Sequence, residues 1–172
     1  MSNVKIKAFL ESDWETYKLL RLASLIDSPD SFGSTHERES SFSENEWRSR
    51  INPATGTVHI LPLVAELDDS PIGLACGLVH TSELDSAYVY QMWVSPDYRG
   101  YGVGRALLYR ILSWAQGLEL TSLSLAVTTI NLPAVSFYTQ FGFMPFGNPE
   151  PLREGSPVVI QPMIFKLGTN NA

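Results

Sequence analysis

The sequence predicts an α/β (α+β) fold, a mixed sheet with helices on both faces, and three observations point to it. Helical and strand-like patterns alternate along the 172 residues without an internal repeat. Ala87 to Val94 is apolar or aromatic at nearly every position, as suits a central strand covered from both sides. Ser122 to Thr128 alternates through Leu123, Leu125 and Val127 after a helical stretch, so it pairs most simply parallel to the Ala87 strand through a crossover helix.

The elements follow in order. Val4 to Phe9 is a short strand, and Ser12-Asp13-Trp14-Glu15 has the spacing of a capping box that opens a helix running to about Ile26. Asp27 to Phe42, polar and carrying Pro29 and Gly33, reads as a surface loop. A second box, Ser43-Glu44-Asn45-Glu46, opens a short helix through Trp47 to about Arg50. Val58 to Glu66, the turn Asp68-Asp69-Ser70-Pro71, and Ile72 to Thr81 form an antiparallel hairpin. Gly102 to Gln116 places Val103, Leu107, Ile111, Trp114 and Ala115 near helical spacing, with Gly117 as the stop. Asn131 caps a helix from Leu132 to Phe141, which Gly142 ends. Phe143 to Phe146 and Val158 to Leu167 are the closing strands, and the tail from Gly168 to Ala172 is expected to be disordered.

The length suits one domain spanning residues 1–172. No run reaches the ~18 to 20 consecutive apolar residues of a membrane helix, and Met1-Ser2-Asn3-Val4-Lys5 lacks the apolar stretch of a signal peptide, so a cytoplasmic location is expected. Cys76 is the single cysteine, sits in an apolar run, and reads as a buried structural thiol. Eighteen acidic against twelve basic residues give a formal net charge of −6, which argues against nucleic acid or an anionic membrane as partner and favours a cationic one.

The segment Val94-Ser95-Pro96-Asp97-Tyr98-Arg99-Gly100-Tyr101-Gly102-Val103-Gly104 carries the chemistry. It joins a buried strand to a helix start through three glycines in five residues. Such a turn exposes backbone N–H groups without Cβ atoms in the way, and the helix N-terminus adds unpaired donors and partial positive charge, which is a cradle for a pyrophosphate. The dinucleotide fingerprint G-x-G-x-x-G does not fit, because these glycines run G-x-G-x-G, and the Lys-Ser or Lys-Thr pair of a P-loop is absent.

The order Arg-x-x-Gly-x-Gly, from Arg99 through Gly102 to Gly104, resembles the acetyl-coenzyme A signature of the GNAT superfamily of N-acetyltransferases. Met92-Trp93-Val94-Ser95-Pro96 is similar to the strand ending in Val-x-Pro that precedes the signature there. Asn131, Ala134, Phe137, Tyr138, Gly142 and Phe143 match the family's downstream Asn-x-x-Ala-x-x-Phe-Tyr-x-x-x-Gly-Phe. Ser28-Pro29-Asp30-Ser31-Phe32-Gly33 and Trp47 look like a common bacterial branch. The resemblance spans nearly the whole chain, with its specific motifs between Ala87 and Phe146.

The resemblance implies a GNAT fold with a splayed central sheet, acetyl-coenzyme A as acyl donor, and no metal. It implies that the backbone amides of Arg99, Gly100, Tyr101, Gly102, Val103 and Gly104 hold the pyrophosphate, with Arg105 as a side-chain partner. Met92, Trp93 and Val94 would pair with the pantetheine arm, Asn131 would contact it, and Ala134 and Phe137 would line its exit. For Phe137 the reading as a core aromatic stands beside direct contact. Tyr138 would give a proton to the departing thiolate. The general base stays open, since Tyr88 and Gln91 stand where relatives often carry a glutamate; Glu83, Asp85 and His80 could act through water, with His36 and Glu37 weaker candidates. The acceptor would be an amine of a small molecule or a protein, shaped by the loop over 27–42, and a homodimer is left open. Two other readings remain at this point, transfer of a longer acyl group and a non-catalytic acyl-coenzyme A binding module.

Overall fold

The computed structural model of the chain describes residues 3–52, 59–80, 83 and 85–168. Met1 and Ser2, the strand ends expected at Val58 and Thr81, and the tail beyond Gly168 lie outside those residues. The elements are β1 (Val4–Ala8), α1 (Trp14–Asp27), α2 (His36–Ser40), α3 (Glu44–Ser49), β2 (His59–Leu67), β3 (Ser70–Val79) and β4 (Ser86–Val94). After them come α4 (Val103–Gly117), β5 (Ser122–Thr128), α5 (Leu132–Phe141), β6 (Met144–Pro145), β7 (Glu150–Pro151) and β8 (Val159–Lys166). One sheet orders the strands β1-β2-β3-β4-β5-β8-β6, with β7 also on β8. Only the β4–β5 pair is parallel among the described ladders, so the crossover through α4 expected from the sequence is present.

Two cores flank this sheet. Leu107 and Ile111 of α4 are wholly buried against Ala87 of β4 and Leu123 of β5, and α5 adds Tyr138 to the same cluster. On the other face Tyr17, Leu20 and Leu25 of α1 meet Trp47 of α3, Leu74 of β3 and Trp93 of β4. Each fully buried aliphatic side chain contributes ~1.5–3 kcal/mol relative to exposure. The spacing of Tyr17, Leu20, Arg21, Ser24 and Leu25 along α1 is one helical stripe, so the sequence pattern selects the buried face directly.

Several expectations are corrected. The helix proper begins at Trp14 after a 3₁₀ turn over Glu11–Asp13, and it is the Asp13 carboxylate, 2.8 Å from the Leu10 N–H, that reaches back. The box at Ser43 and Glu46 forms as expected, with both reciprocal bonds. The hairpin turn is tighter than expected: Asp68 and Asp69 both take left-handed φ, +49° and +63°, and Ser70 already pairs with Leu67. Phe143 to Phe146 supplies only the two-residue β6, and β7 was not expected.

The stretch 27–42 is not a plain surface loop. It holds a 3₁₀ turn at Pro29–Ser31 and the helix α2, whose Thr35 cap accepts from the Arg38 N–H. Glu39 of α2 is fully buried and takes two hydrogen bonds from Arg21, Nε to Oε2 at 2.9 Å and Nη2 to Oε1 at 2.8 Å. Arg50 adds an ion pair at 3.5 Å. The segment is polar because it carries one half of a buried charge pair, a condition that periodicity cannot reveal.

β4 is central, yet it is not covered on both faces along its whole length. Ala87 and Val89 are buried on the α4 side, whereas Tyr90 on the α1 side is 41% exposed. An irregularity then intervenes. Leu74 pairs with Trp93 and Cys76 with Tyr90, so Gln91 and Met92 together oppose Ala75. Gln91 sits at φ +57°, and the bulge reverses which face each position addresses. Trp93 therefore enters the α1-side core, while Met92 and Val94 pack toward α4 and α5.

Candidate active site

β4 and β5 are paired only at Ser86–Ser122, Ala87–Leu123 and Tyr88–Ser124. Beyond that point both strands continue without pairing to each other, so the sheet opens at its middle. A cleft of about 660 Å³ occupies this opening. Its β4 wall is Met92, Trp93 and Val94; its far wall is Asn131, Ala134, Phe137 and Tyr138 of the α5 region.

The mouth of the cleft is the glycine turn. Gly100 and Gly102 adopt φ +81° and +83°, a region where a side chain would be strained, and a Cβ built on either meets no atom within 4 Å. Gly104 differs: its Cβ would make ordinary contacts with Phe137 at 3.7 Å and Val94 at 3.8 Å. Gly102 is the N-cap of α4 and offers no side chain to the helix end. The first bond of the helix runs from the Ala106 N–H to the Gly102 carbonyl at 3.0 Å, which leaves the amides of Val103, Gly104 and Arg105 without a carbonyl one turn back. An anion of phosphate type fits such an opening: unpaired donors point into space that a Cβ would otherwise fill.

Gly100, Gly102, Val103, Gly104 and Arg105 all border the cleft. Tyr101 does not border it and is 80% exposed. The Arg105 guanidinium lies 5.1 Å from the Tyr109 ring and donates to its hydroxyl at 3.1 Å. The Arg99 side chain has a further role that its place in a backbone motif gave no hint of. Its Nε donates to the Val94 carbonyl at 2.8 Å, and its Nη2 donates to Asp27 Oδ2 at the end of α1. Trp93 Nε1 donates to the same oxygen at 2.9 Å. Burial opposes ionisation of Asp27, but hydrogen bonds from Ser28, Trp93 and Arg99 outweigh it and hold its carboxyl below the usual range.

Ser28, Ser31 and Phe32, from the stretch over 27–42 expected to shape the acceptor side, also line the cleft; sequence reasoning missed Arg153, whose Nη2 donates to the carbonyls of Pro29 at 2.8 Å and Phe32 at 3.1 Å. The Pro29 and Gly33 signals marked a turn there without saying what it would touch.

Tyr138 is buried, with its ring edge-on to Phe137 and Phe143 at 5.1 and 5.9 Å. It borders the cleft, and burial pushes its phenol well above the ordinary value. Asn131 caps α5 by accepting from the Ala134 N–H at 3.2 Å, as its position before the helix suggests.

Tyr88, Gln91 and the candidates for a base, Glu83, Asp85, His80, His36 and Glu37, do not line this cleft. Gln91 Oε1 accepts from the buried Tyr17 hydroxyl at 2.9 Å. Tyr88 donates to Glu83, and His80 meets the Tyr90 hydroxyl at 3.1 Å. Asp85 uses its carbonyl to hold Thr121 at the start of β5, and His36 and Glu37 lie in the first turn of α2. Burial pushes the Cys76 thiol up to about 12, the behaviour of a structural thiol.

The acetyltransferase (GNAT) family model matches residues 14–143. Over 84 residues the chain is 31% identical to an uncharacterized N-acetyltransferase of Methanocaldococcus jannaschii, covering 46% of this chain and 37% of that protein. Over 60 residues it is 35% identical to the [ribosomal protein bS18]-alanine N-acetyltransferase of Escherichia coli, covering 35% of this chain and 40% of that one. These matches span about two fifths of the relatives' own length. The fold is similar to that of yncA from Salmonella typhimurium, solved with its cofactor acetyl-CoA, with a TM-score of 0.78 at 15% identity over 99% of this chain and 98% of that one. The family match runs from the first residue of α1 to the residue after the α5 C-cap, and so takes in both motifs and both parting strands: the chain belongs to the acetyltransferase (GNAT) family.

Proposed function

We propose that residues 1–172 act as one unit that transfers an acetyl group from acetyl-coenzyme A to an amine by direct attack, the amine belonging to a small molecule or a protein. The observation that carries this reading is the parting of β4 from β5 directly above a glycine turn with unpaired amides. The E. coli relative's acceptor, by its name, is an alanine of a ribosomal protein. Acetyl-coenzyme A, when bound, supplies an acetyl group already activated as a thioester.

Each wall then has a task. The amides from Arg99 to Gly104 hold the pyrophosphate, Tyr101 contributing main chain alone, and Arg105 has donors beyond the one given to Tyr109. The β5-facing edge of Met92, Trp93 and Val94, left without a strand partner where the strands diverge though Arg99 holds the Val94 carbonyl, takes the pantetheine arm as an added strand and orients the thioester carbonyl through a main-chain N–H. Asn131 touches the arm, and Ala134 and Phe137 line its way out. Tyr138 offers its phenolic proton to the departing sulfur; the raised pKa keeps that proton in place across the neutral and mildly alkaline range.

Calorimetric titration with acetyl-coenzyme A, followed by thiol release with a panel of primary amines, tests the reading. Binding in the micromolar range and amine-dependent release are expected. Absence of binding overturns the cofactor assignment; binding with no release from any amine overturns the transfer.

A further inference from the structure

We propose that His80, Glu83, Tyr88 and Tyr90 form a docking station for a cationic group of the acceptor, and that the acceptor is a small aliphatic diamine whose unreacted ammonium sits there; this rests on the transfer reading above. The four residues converge on the α1 side of the sheet, at the half of β4 that precedes the bulge. The Tyr88 and Tyr90 rings stack with centroids 6.0 Å apart and planes 25° from parallel. The His80 ring stands edge-on to both, at 5.2 and 6.2 Å. Tyr88 donates its hydroxyl to the Glu83 carboxylate, and Tyr90 is linked to His80.

Packing does not account for this group. Neither tyrosine belongs to either hydrophobic core, and Tyr90 remains substantially open to solvent. Aromatic faces attract a cation within ~6 Å of their centroids, and a carboxylate beside them adds full charge. The hydrogen bond to Glu83, with burial, pushes the Tyr88 phenol up to about 12, and burial with the Glu83 charge pushes Tyr90 up as well, so both present neutral rings at working pH. Glu83 is the charged group that acts on both phenols among the described residues.

The location fits an acceptor rather than the donor. The strands part immediately after Tyr88 and Ser124, so the tyrosines flank the closed end of the gap, while Met92, Trp93 and Val94 face the cleft beyond the bulge. From the middle of the tyrosine pair to Met92 is three residues, but the bulge absorbs one of them, which leaves ~7 Å of strand. A six-carbon diamine covers that distance with some slack, placing one nitrogen at each end. The net charge of −6 favours a dication over a neutral amine.

The test compares 1,6-diaminohexane with hexylamine on the parent, Tyr90→Leu and Glu83→Gln, by kcat/KM and by calorimetric titration of each amine onto coenzyme A-loaded protein. Coenzyme A affinity reports whether each variant keeps its fold. The parent should prefer the diamine by about tenfold or more, and in both variants the ratio of diamine to monoamine should fall toward one. Turnover of both amines with equal efficiency in the parent overturns the station and leaves the transfer reading standing. Diamine binding that Tyr90→Leu weakens, without turnover of any amine, upholds the station and overturns the transfer.

Discussion

Asp27 and Arg99 lie 72 positions apart and form an ion pair that fastens the C-terminal end of α1 to the turn opening α4. The pair joins the wall built by Ser28, Ser31 and Phe32 to the glycine mouth, so both sides of the cleft share one strut. Since the folded pKa of Asp27 is depressed, its contribution is present above the ordinary carboxylate value of ~3.9 and is lost as pH falls through the folded value. Asp27→Asn should therefore lower Tm by a few degrees at pH 7, the order expected of a loss near 1 kcal/mol, and the difference from the parent should shrink near pH 3. Thermal denaturation of both proteins at the two pH values checks it; a difference that grows toward acid would refute the assignment.

Glu39 is a harsher case. Burial opposes its ionisation, yet the bonds from Arg21 and the charge of Arg50 keep it ionised below the usual range. Removing one partner of a buried pair costs ~3–5 kcal/mol, because the other charge is stranded. Glu39→Ala should lower Tm by ~10 °C or more. A shift under about 2 °C, read by calorimetry, would mean that water already satisfies Arg21.

Gly102 and Gly104 provide a matched pair. A Cβ at Gly102 would sit at φ +83° in the open cradle, whereas one at Gly104 would meet Phe137 and Val94 at ordinary contact distance. Gly102→Val should weaken acetyl-coenzyme A binding at least tenfold and cost ~1–2 kcal/mol of stability, while Gly104→Ala should bind within about threefold of the parent. Equal losses in both variants, measured by titration, would shift the phosphate site elsewhere.

Tyr138→Phe removes one hydroxyl and keeps the ring against Phe137 and Phe143. Turnover should fall by ~10² to 10⁴ with little change in KM. Because burial raises the phenol far above its usual value, the ratio of the two rates should stay constant from pH 6 to 10. Near-parental turnover would leave Tyr138 as packing alone.

Much of this was legible in the chain. The helical spacing of α4, the glycine spacing from Gly100 to Gly104 and the Asn131 cap are local patterns, and each one dictates its own geometry. What stayed hidden depends on partners distant in sequence. Glu39 looks like a solvated acid until Arg21 is brought against it, and Arg99 looks like a backbone spacer until Asp27 arrives. Tyr88 and Tyr90 looked buried because an apolar run does not say which stretch of a strand its covering helix reaches.

The extra residue at Gln91 acts as a change of phase along β4. Before it, even-numbered positions such as Tyr88 and Tyr90 address the α1 side; after it, Met92 and Val94 carry the same parity to the opposite side. Two combinatorial libraries could thus be written on one strand without a shared position, one varying what enters from the α1 side and the other what enters from the glycine mouth. Removing Gln91 would restore plain alternation, with Met92 opposite Ala75 and Trp93 opposite Leu74, so both addresses would stand and the Trp93 indole would keep its N–H toward Asp27.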